Sequence, residues 1–468
     1  MIGPFPFRRT LAAQPATTSV RLSEVISAMS YALDIVEGQP EGHAVRSCLL
    51  GMRLAEEINL PAAQRSALFY ALLLKDLGCA SNSAKICYLF GADDHNVKQD
   101  FKTTDWPNML ESAKYVMRNV APNGSLWDKL RYFVRLAATS KDTGRQLVKI
   151  RCERGALIAR NLQLPEETVQ AIRNLDEHWN GQGHPDNLKK KEIPLLARIL
   201  GICQTFEVYF KRDGLKVAMD IAQERSGTWF DPSLVKAMRS MEKDGAFWIQ
   251  MHDDVPRRYL NAYEPEDQVM TADDKMLDRI ASAFGQVIDA KSPWTACHSQ
   301  GVSDISVGIA TELGMTPHEV RRIKRAGLLH DVGKLGVSNT ILDKPGKLTD
   351  EEFDRLKLHP AQTLRILERV KCFSDFASIA ASHHERLDGK GYYRGLDASQ
   401  LCTSARILTV ADIYEALSAQ RPYRKDLTQA EVHEIIGKGL GKATDPRVYD
   451  ALCSFLNRTG YKTTSLAA

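Results

Sequence analysis

Five histidines and two aspartates in the C-terminal part of this chain are the residues best suited to chemistry: His298, His330, Asp331, His359, His383, His384 and Asp412. Taken singly, a histidine on an apolar helix is ordinarily a packed residue with one hydrogen bond. Asp412 resists that explanation. It sits in "RILTVADIYEAL", apolar almost all round, where a buried carboxylate needs a cation or several donors to offset its lost hydration. Imidazole nitrogen combined with carboxylate oxygen suits divalent Fe, Mn or Zn, and no cysteine joins the pattern to bring soft thiolate chemistry. Seven such groups exceed what one ion needs. Two ions sharing a carboxylate would use them all, with Asp331, adjacent to His330, as the bridge. Such a centre, its ions ~3.5–4 Å apart, binds a phosphate and ionises a water for in-line attack at phosphorus.

Helices must position these groups. In "DKMLDRIASAFGQVIDA", Leu277, Ile280, Phe284, Val287 and Ile288 share one face, and from His298 the pattern repeats through Val302, Ile305, Ile309 and Leu313. "LTDEEFDRLKLHP" opens with Thr349 three residues before Glu352, a capping box, and closes at Pro360. Strand-like alternation is nearly absent, so the expected fold class is all-α.

The chain also repeats itself. "LLLKDLGC" matches "GLLHDVGK" 255 residues on, an offset that sets His43 opposite His298. "DEHWNGQGHP" matches "HERLDGKGYY" at an offset of 208, which superposes "LLARILGICQ" on "TSARILTVAD". Three collinear matches predict a tandem duplication with about 47 extra residues in the first copy, between positions 80 and 150. The expected organisation is a flexible stretch over 1–20, a first helical domain over 21–250, a charged, Pro-containing linker over 251–272 and a second domain over 273–468. In the first copy His43 and Asp76 survive, while the other ligand positions become Lys75, Arg151, Leu175, Asp176 and Gln204. A lysine and an arginine repel cations, so this copy is expected to hold no metal pair. It would serve as a structural partner or as a regulatory module binding an anion.

Composition bounds the remaining possibilities. The chain has 468 residues, 44% hydrophobic and 26% charged, enough for two or three cores. Net charge is only +4 on 62 basic and 58 acidic residues, with no basic stripe, so neither nucleic acid nor a membrane surface is an expected partner. Nine scattered cysteines without a CxxC pair suggest reduced, packed thiols, and no run of 18 apolar residues occurs; a soluble, cytoplasmic protein is expected.

"HDVGK", the "HP" at 359–360, "HHERLDGKGYYRG" at 383–395 and "ARILTVADIYEALSAQRPYR" at 405–424 together resemble the HD-GYP family of bacterial cyclic-dinucleotide phosphodiesterases, over most of residues 280–430. The resemblance implies a tandem of HD-type helical bundles and two divalent metal ions, Fe or Mn before Zn, Ni or Mg. It carries the family's metal ligands onto the seven residues above. It makes Asp331 and Lys334 catalytic, with Lys334 contacting a substrate phosphate and assisting the leaving group, and Arg421 and Arg424 phosphate clamps, a role suited to guanidinium forks. Two departures stand out. Tyr393 replaces the family's proline in the loop Gly391-Tyr392-Tyr393, which loses a fixed φ. Trp294 stands four residues before His298, where some members place a glutamate for a third metal; it cannot ligate, which favours two ions, and its indole can stack on a purine base. The implied substrate is cyclic di-GMP or the mixed cyclic GMP–AMP molecule, opened to a linear dinucleotide. The alternative is a non-catalytic cyclic-dinucleotide receptor or signalling scaffold. A homodimer, and a signalling-protein contact through the 391–393 loop, are further partner expectations.

Overall fold

The computed structural model describes residues 20–101, 103–104, 109–122, 124–138, 141–265, 270–295, 297–419 and 427–461. The flexible stretch expected before residue 20, and both Arg421 and Arg424, lie outside the described residues. Apart from helices, the described residues contain two strands of two residues each, Val20–Arg21 and Thr271–Ala272, paired antiparallel with Val20 opposite Ala272. The all-α expectation is borne out. Among the described residues, no helix is long and apolar enough to cross a membrane.

The helices form where the apolar stripes fall. Asp274–Asp289 starts with Asp273 accepting from the Met276 amide, and its buried face carries Leu277, Ile280, Phe284 and Val287. Asp350–Leu356 shows the Thr349/Glu352 capping box, but Pro360 opens the next helix, His359–Leu367, rather than closing this one. Proline fits there because the first turn's amides have no intrahelical acceptor to lose.

One apolar cluster runs through both parts of the chain, from Leu22 and Leu50 to Ile305, Phe376 and Leu452. The segment 251–272 contributes to it through Met251, Leu260 and Ala272, so these residues pack against their neighbours despite their charged composition. The extra residues between 80 and 150 build a small core of their own, with Phe90, Val97, Tyr115 and Leu147 at its centre.

Several hydrogen bonds occur twice, at the sequence offsets. Asp34 accepts from the amides of Gly42 (2.8 Å) and Ala44 (2.9 Å), and Asp289, 255 residues on, accepts from that of Ser299 (3.2 Å). Glu177 accepts from the amides of Asp186 (2.6 Å) and Leu188 (3.0 Å); Glu385, 208 residues on, does so from Arg394 (3.2 Å) and Leu396 (3.0 Å). Arg198 Nε donates to Ile193 O (3.0 Å) and Arg406 Nε to Leu401 O (2.9 Å).

Candidate metal centre

Each ligand candidate stands at an end of a helix except one. His298 is the first residue of His298–Glu312, and Asp289 satisfies the start of that helix by accepting from the Ser299 amide and hydroxyl (2.6 Å). His330 and Asp331 follow Pro317–Leu329 and enter the short turn Val332–Gly336. His359 opens His359–Leu367, and His383 and His384 lie just past Ser374–Ala380. Asp412 alone is mid-helix, in Thr403–Ser418, among buried Leu408, Val410 and Ala411.

Gly333 lets two of these points meet. A Cβ there would lie 2.0 Å from His359 O and 2.7 Å from the Thr363 amide, so only glycine allows the turn after Asp331 to rest on the start of the 359 helix. Thr363 Oγ1 locks the contact, accepting from the Gly333 amide (3.0 Å) and donating to His330 O (2.8 Å).

The seven groups converge. Asp331 Oδ2 faces His298 Nε2 (3.7 Å) and His330 Nε2 (3.4 Å), while its Oδ1 faces His359 Nε2 (3.4 Å) and His383 Nε2 (3.5 Å). Asp412 Oδ1 lies 3.3 Å from His298 Nε2 and 3.7 Å from His330 Nε2, and its Oδ2 lies 3.9 Å from His384 Nδ1. The ligand atoms fall into overlapping groups: His298, His330 and Asp412; His330, Asp331 and His383; and His359, His383 and His384. Asp331 stands between the first and the last.

The outer nitrogens are held in place. Nδ1–H of His330, His359 and His383 donates to the carbonyls of Gly327, Leu356 and Ala380, each at 2.7 Å, and Nδ1 of His298 is paired with the Glu415 carboxylate. That fixes the tautomer and turns Nε2 inward as a lone-pair donor. Within the cluster two buried atoms are left without a hydrogen-bond partner, His330 Nε2 and Asp331 Oδ1. Unsatisfied acceptors at the focus of seven N and O donors fit a divalent cation, which is what such a set binds.

Electrostatics divide the cluster. Burial alone would raise the Asp331 and Asp412 carboxyls; Lys334 and His330 beside the first, and His298, His330 and His384 beside the second, hold both far below the ordinary carboxylate range. Burial lowers His359 to about 4 and His384 also falls, so these rings stay unprotonated and able to ligate. Burial works against charge on His298 and His330 as well, but the Glu415 and Asp412 carboxylates lift the first ring to about 10 and the Asp331 and Asp412 carboxylates raise the second, so a cation bound here would displace protons from both.

Lys334 Nζ lies 2.6 Å from Asp331 Oδ2, with its side chain 23% exposed at the mouth of the site. Trp294 is partly buried in the one-turn helix Pro293–Thr295. One neighbour of the cluster escaped sequence reasoning, and one residue of the 391–393 loop takes an unexpected place. Glu415 is one helical turn beyond Asp412, an i, i+3 spacing that could have revealed it. Tyr392 packs its ring 4.5 Å from that of His384, capping the open side of the centre.

The groups at the positions 255 or 208 residues earlier also converge, on different partners. His43 pairs through Nδ1 with Glu207, which also accepts from Arg46 Nε (2.5 Å). Lys75 Nζ lies 2.9 Å from His43 Nε2 and is ion-paired with Asp76. Arg151 is paired with Asp176, and Gln204 Nε2 donates to the same carboxylate at 3.5 Å. Leu175 is buried beside them.

The sequence model of the HD-domain family matches residues 132–234 and 282–448. The chain belongs to this HD-domain family. It is 38% identical over 443 residues to the 3′3′-cGAMP-specific phosphodiesterase 3 of Vibrio cholerae serotype O1, covering 94% of this chain and 96% of that one. It is 35% identical over 173 residues to the cyclic di-GMP phosphodiesterase response regulator RpfG of Xanthomonas campestris pv. campestris, covering 36% of this chain and 46% of that one. Among solved structures, the cyclic GMP-AMP specific phosphodiesterase V-cGAP3 of V. cholerae superposes with a TM-score of 0.64 at 34% identity, over 94% of this chain and 98% of that one. The family resemblance carried by the motifs is borne out.

Proposed function

We propose that this chain is a metal-dependent phosphodiesterase that opens a 3′,5′-phosphodiester bond of a cyclic dinucleotide, with the cluster around Asp331 as its active site. The observation that carries this reading is the pair of unpartnered buried acceptors, His330 Nε2 and Asp331 Oδ1, at the meeting point of seven ligand candidates. His298, His330, Asp331, His359, His383, His384 and Asp412 would hold two divalent ions, with Asp331 placed between the group of His298, His330 and Asp412 and that of His359, His383 and His384. Fe or Mn suits the donor set. When bound, the two ions supply positive charge to the phosphate and lower the pKa of water so that it attacks phosphorus near neutral pH.

The chain's own groups do the rest. Lys334, 2.6 Å from Asp331, holds a phosphate oxygen and donates a proton to the leaving 3′ oxygen. An oxygen–phosphorus bond forms to water, the bond to the 3′ oxygen breaks, and the product is a linear dinucleotide. Trp294 lines the base pocket, and Arg421 and Arg424 clamp phosphate. Tyr392 shapes the site from its open side, while exposed Tyr393 is available to a protein partner.

The substrate is the mixed GMP–AMP ring before cyclic di-GMP, a preference supported by the near full-length similarity to the V. cholerae protein named for 3′3′-cGAMP. Residues 21–250 are a degenerate, non-catalytic copy, a reading supported by the repeated hydrogen bonds and by Lys75 and Arg151 among the former ligand positions. A non-catalytic receptor would be expected to have lost ligands in both copies, and the second keeps all seven.

The test is a parallel assay of cyclic di-GMP, cyclic di-AMP and the mixed ring on protein loaded with Fe or Mn. Turnover should be highest on the mixed ring and vanish in His330→Ala and Asp331→Ala, together with about two bound ions per chain. Inactivity on all three substrates overturns the proposal.

A further inference from the structure

The extra residues of the first copy reach into the second. Their helix Asp94–Phe101 is tied to its own side by Lys98, whose ammonium donates to Val36 O (3.2 Å), Cys79 O (2.9 Å) and the Ser83 hydroxyl. Its first residues face the other way. His95 Nε2 donates to Leu335 O (2.8 Å), the carbonyl next to Lys334, and Asp94 accepts from the Asn339 amide (2.9 Å) just beyond the same turn. The buried Asp94 carboxylate also meets the buried ammonium of Lys291 (3.2 Å), three residues before Trp294. Asn339 closes the frame by donating through Nδ2 to Lys291 O (2.8 Å). Gly38, at φ +65°, makes room for this: a Cβ there would lie 2.3 Å from His95 O.

We infer that Asp94 and His95 are positioning residues for the reaction: through Leu335 O, Asn339 N and Lys291 Nζ they fix where Lys334 and Trp294 stand relative to Asp331. The inference rests on the proposed role of Lys334, and it gives the extra residues a task the second copy cannot perform for itself. A rigid frame matters here because a lysine that must meet one phosphate oxygen loses rate when displaced by even an ångström.

The test is a double-mutant cycle on the full chain. His95→Ala should lower kcat/KM about tenfold with metal content unchanged, the worth of one oriented hydrogen bond. His95→Gln, whose amide can still donate to Leu335 O, should restore most of it. In a Lys334→Ala background His95→Ala should cost less than about twofold, because both changes act on one group. Should His95→Ala not fold, the near-isosteric Asp94→Asn takes its place. A readout independent of turnover accompanies the cycle: the rate at which an amine-acylating reagent labels Lys334, followed by peptide mass spectrometry, should change in His95→Ala and not in His95→Gln. Equal losses in both backgrounds with unaltered labelling mean a merely structural contact and overturn the inference. A wild type inactive on every cyclic dinucleotide sinks the proposed function instead, and the labelling rates then decide this point alone.

Discussion

Replacing Glu415 with glutamine isolates what the carboxylate behind His298 contributes. Both side chains are 6% exposed, and Glu415 is the anion that pairs with Nδ1 while Nε2 points at Asp412 and Asp331. The amide oxygen of the substituted side chain can still accept the Nδ1 hydrogen, so ring orientation survives while the charge that raises the ring's basicity is lost. Carboxylates behind a metal-bound histidine are worth about 10–100-fold in metal affinity, or about 1.4–2.7 kcal/mol. Competition against a chromophoric chelator, with Mn or Fe under anaerobic conditions, measures the difference directly. Glu207→Gln is the internal control. It removes the matching carboxylate behind His43 and leaves buried Arg46 without its anion, so it should destabilise the protein without changing metal affinity. Glu415→Gln protein that binds metal as tightly as wild type would refute the assignment of His298 as a ligand.

Other predictions use different measurements. Burial against Trp229, at a ring separation of 4.1 Å, pushes His178 down to about 3. Its unfolded form takes up a proton near pH 6.5 while the folded form resists, so stability falls as pH drops below 6.5. That amounts to about 2 kcal/mol between pH 7 and pH 5, and His178→Phe, which keeps the stack, should flatten the urea-midpoint profile by that much. Gly333→Ala drives a Cβ into His359 O, so metal content by elemental analysis should collapse while helical circular dichroism persists; retained metal contradicts the packing described. Lys75→Met leaves Asp76 and His43 buried without their cation and should cost about 3–5 kcal/mol in urea denaturation, with metal content and turnover unchanged.

What the sequence revealed, and what it hid, follows from how each residue's environment is built. Apolar periodicity made the all-α class legible, and Asp412, alone inside an apolar helical run, advertised its need for positive charge; the six candidates at helix ends were legible only together, through the order and spacing of the family motifs. Glu415 was not, because a glutamate one turn along a helix looks like an ordinary surface residue until tertiary packing buries it. Residues 251–272 suggested a spacer, since charge and proline dominate locally, whereas Met251, Leu260 and Ala272 are too widely spaced to form a visible stripe. Asp94 and His95, within "GADDHN", fall in the stretch between positions 80 and 150 that matches nothing at either offset; only the fold shows what they touch.

The clusters around Asp76 and Asp331 answer one electrostatic problem in two ways. Each gathers a histidine, a glutamate behind it and an aspartate into a site from which water is largely excluded, and such a group is strongly destabilising unless cations compensate it. Around Asp331 the inward-facing atoms of His330 and Asp331 are left unpartnered, so on the proposed function the stability of this cluster would be coupled to the cations it binds. In the first, Lys75 bonds to His43 and Asp76, and Arg151 to Asp176, so compensation is covalently part of the chain. A cluster that carries its own cations should stay folded whatever the metal supply, and it is the part of the chain holding this cluster that sends Asp94 and His95 across to the turn bearing Lys334. Chelation should therefore loosen residues 298–412 before 43–207, with the Asn339 amide, which donates to Asp94, among the last of the second cluster's surroundings to exchange its hydrogen. Uniform exchange across both clusters after metal removal would mean that the internal cations confer no such independence.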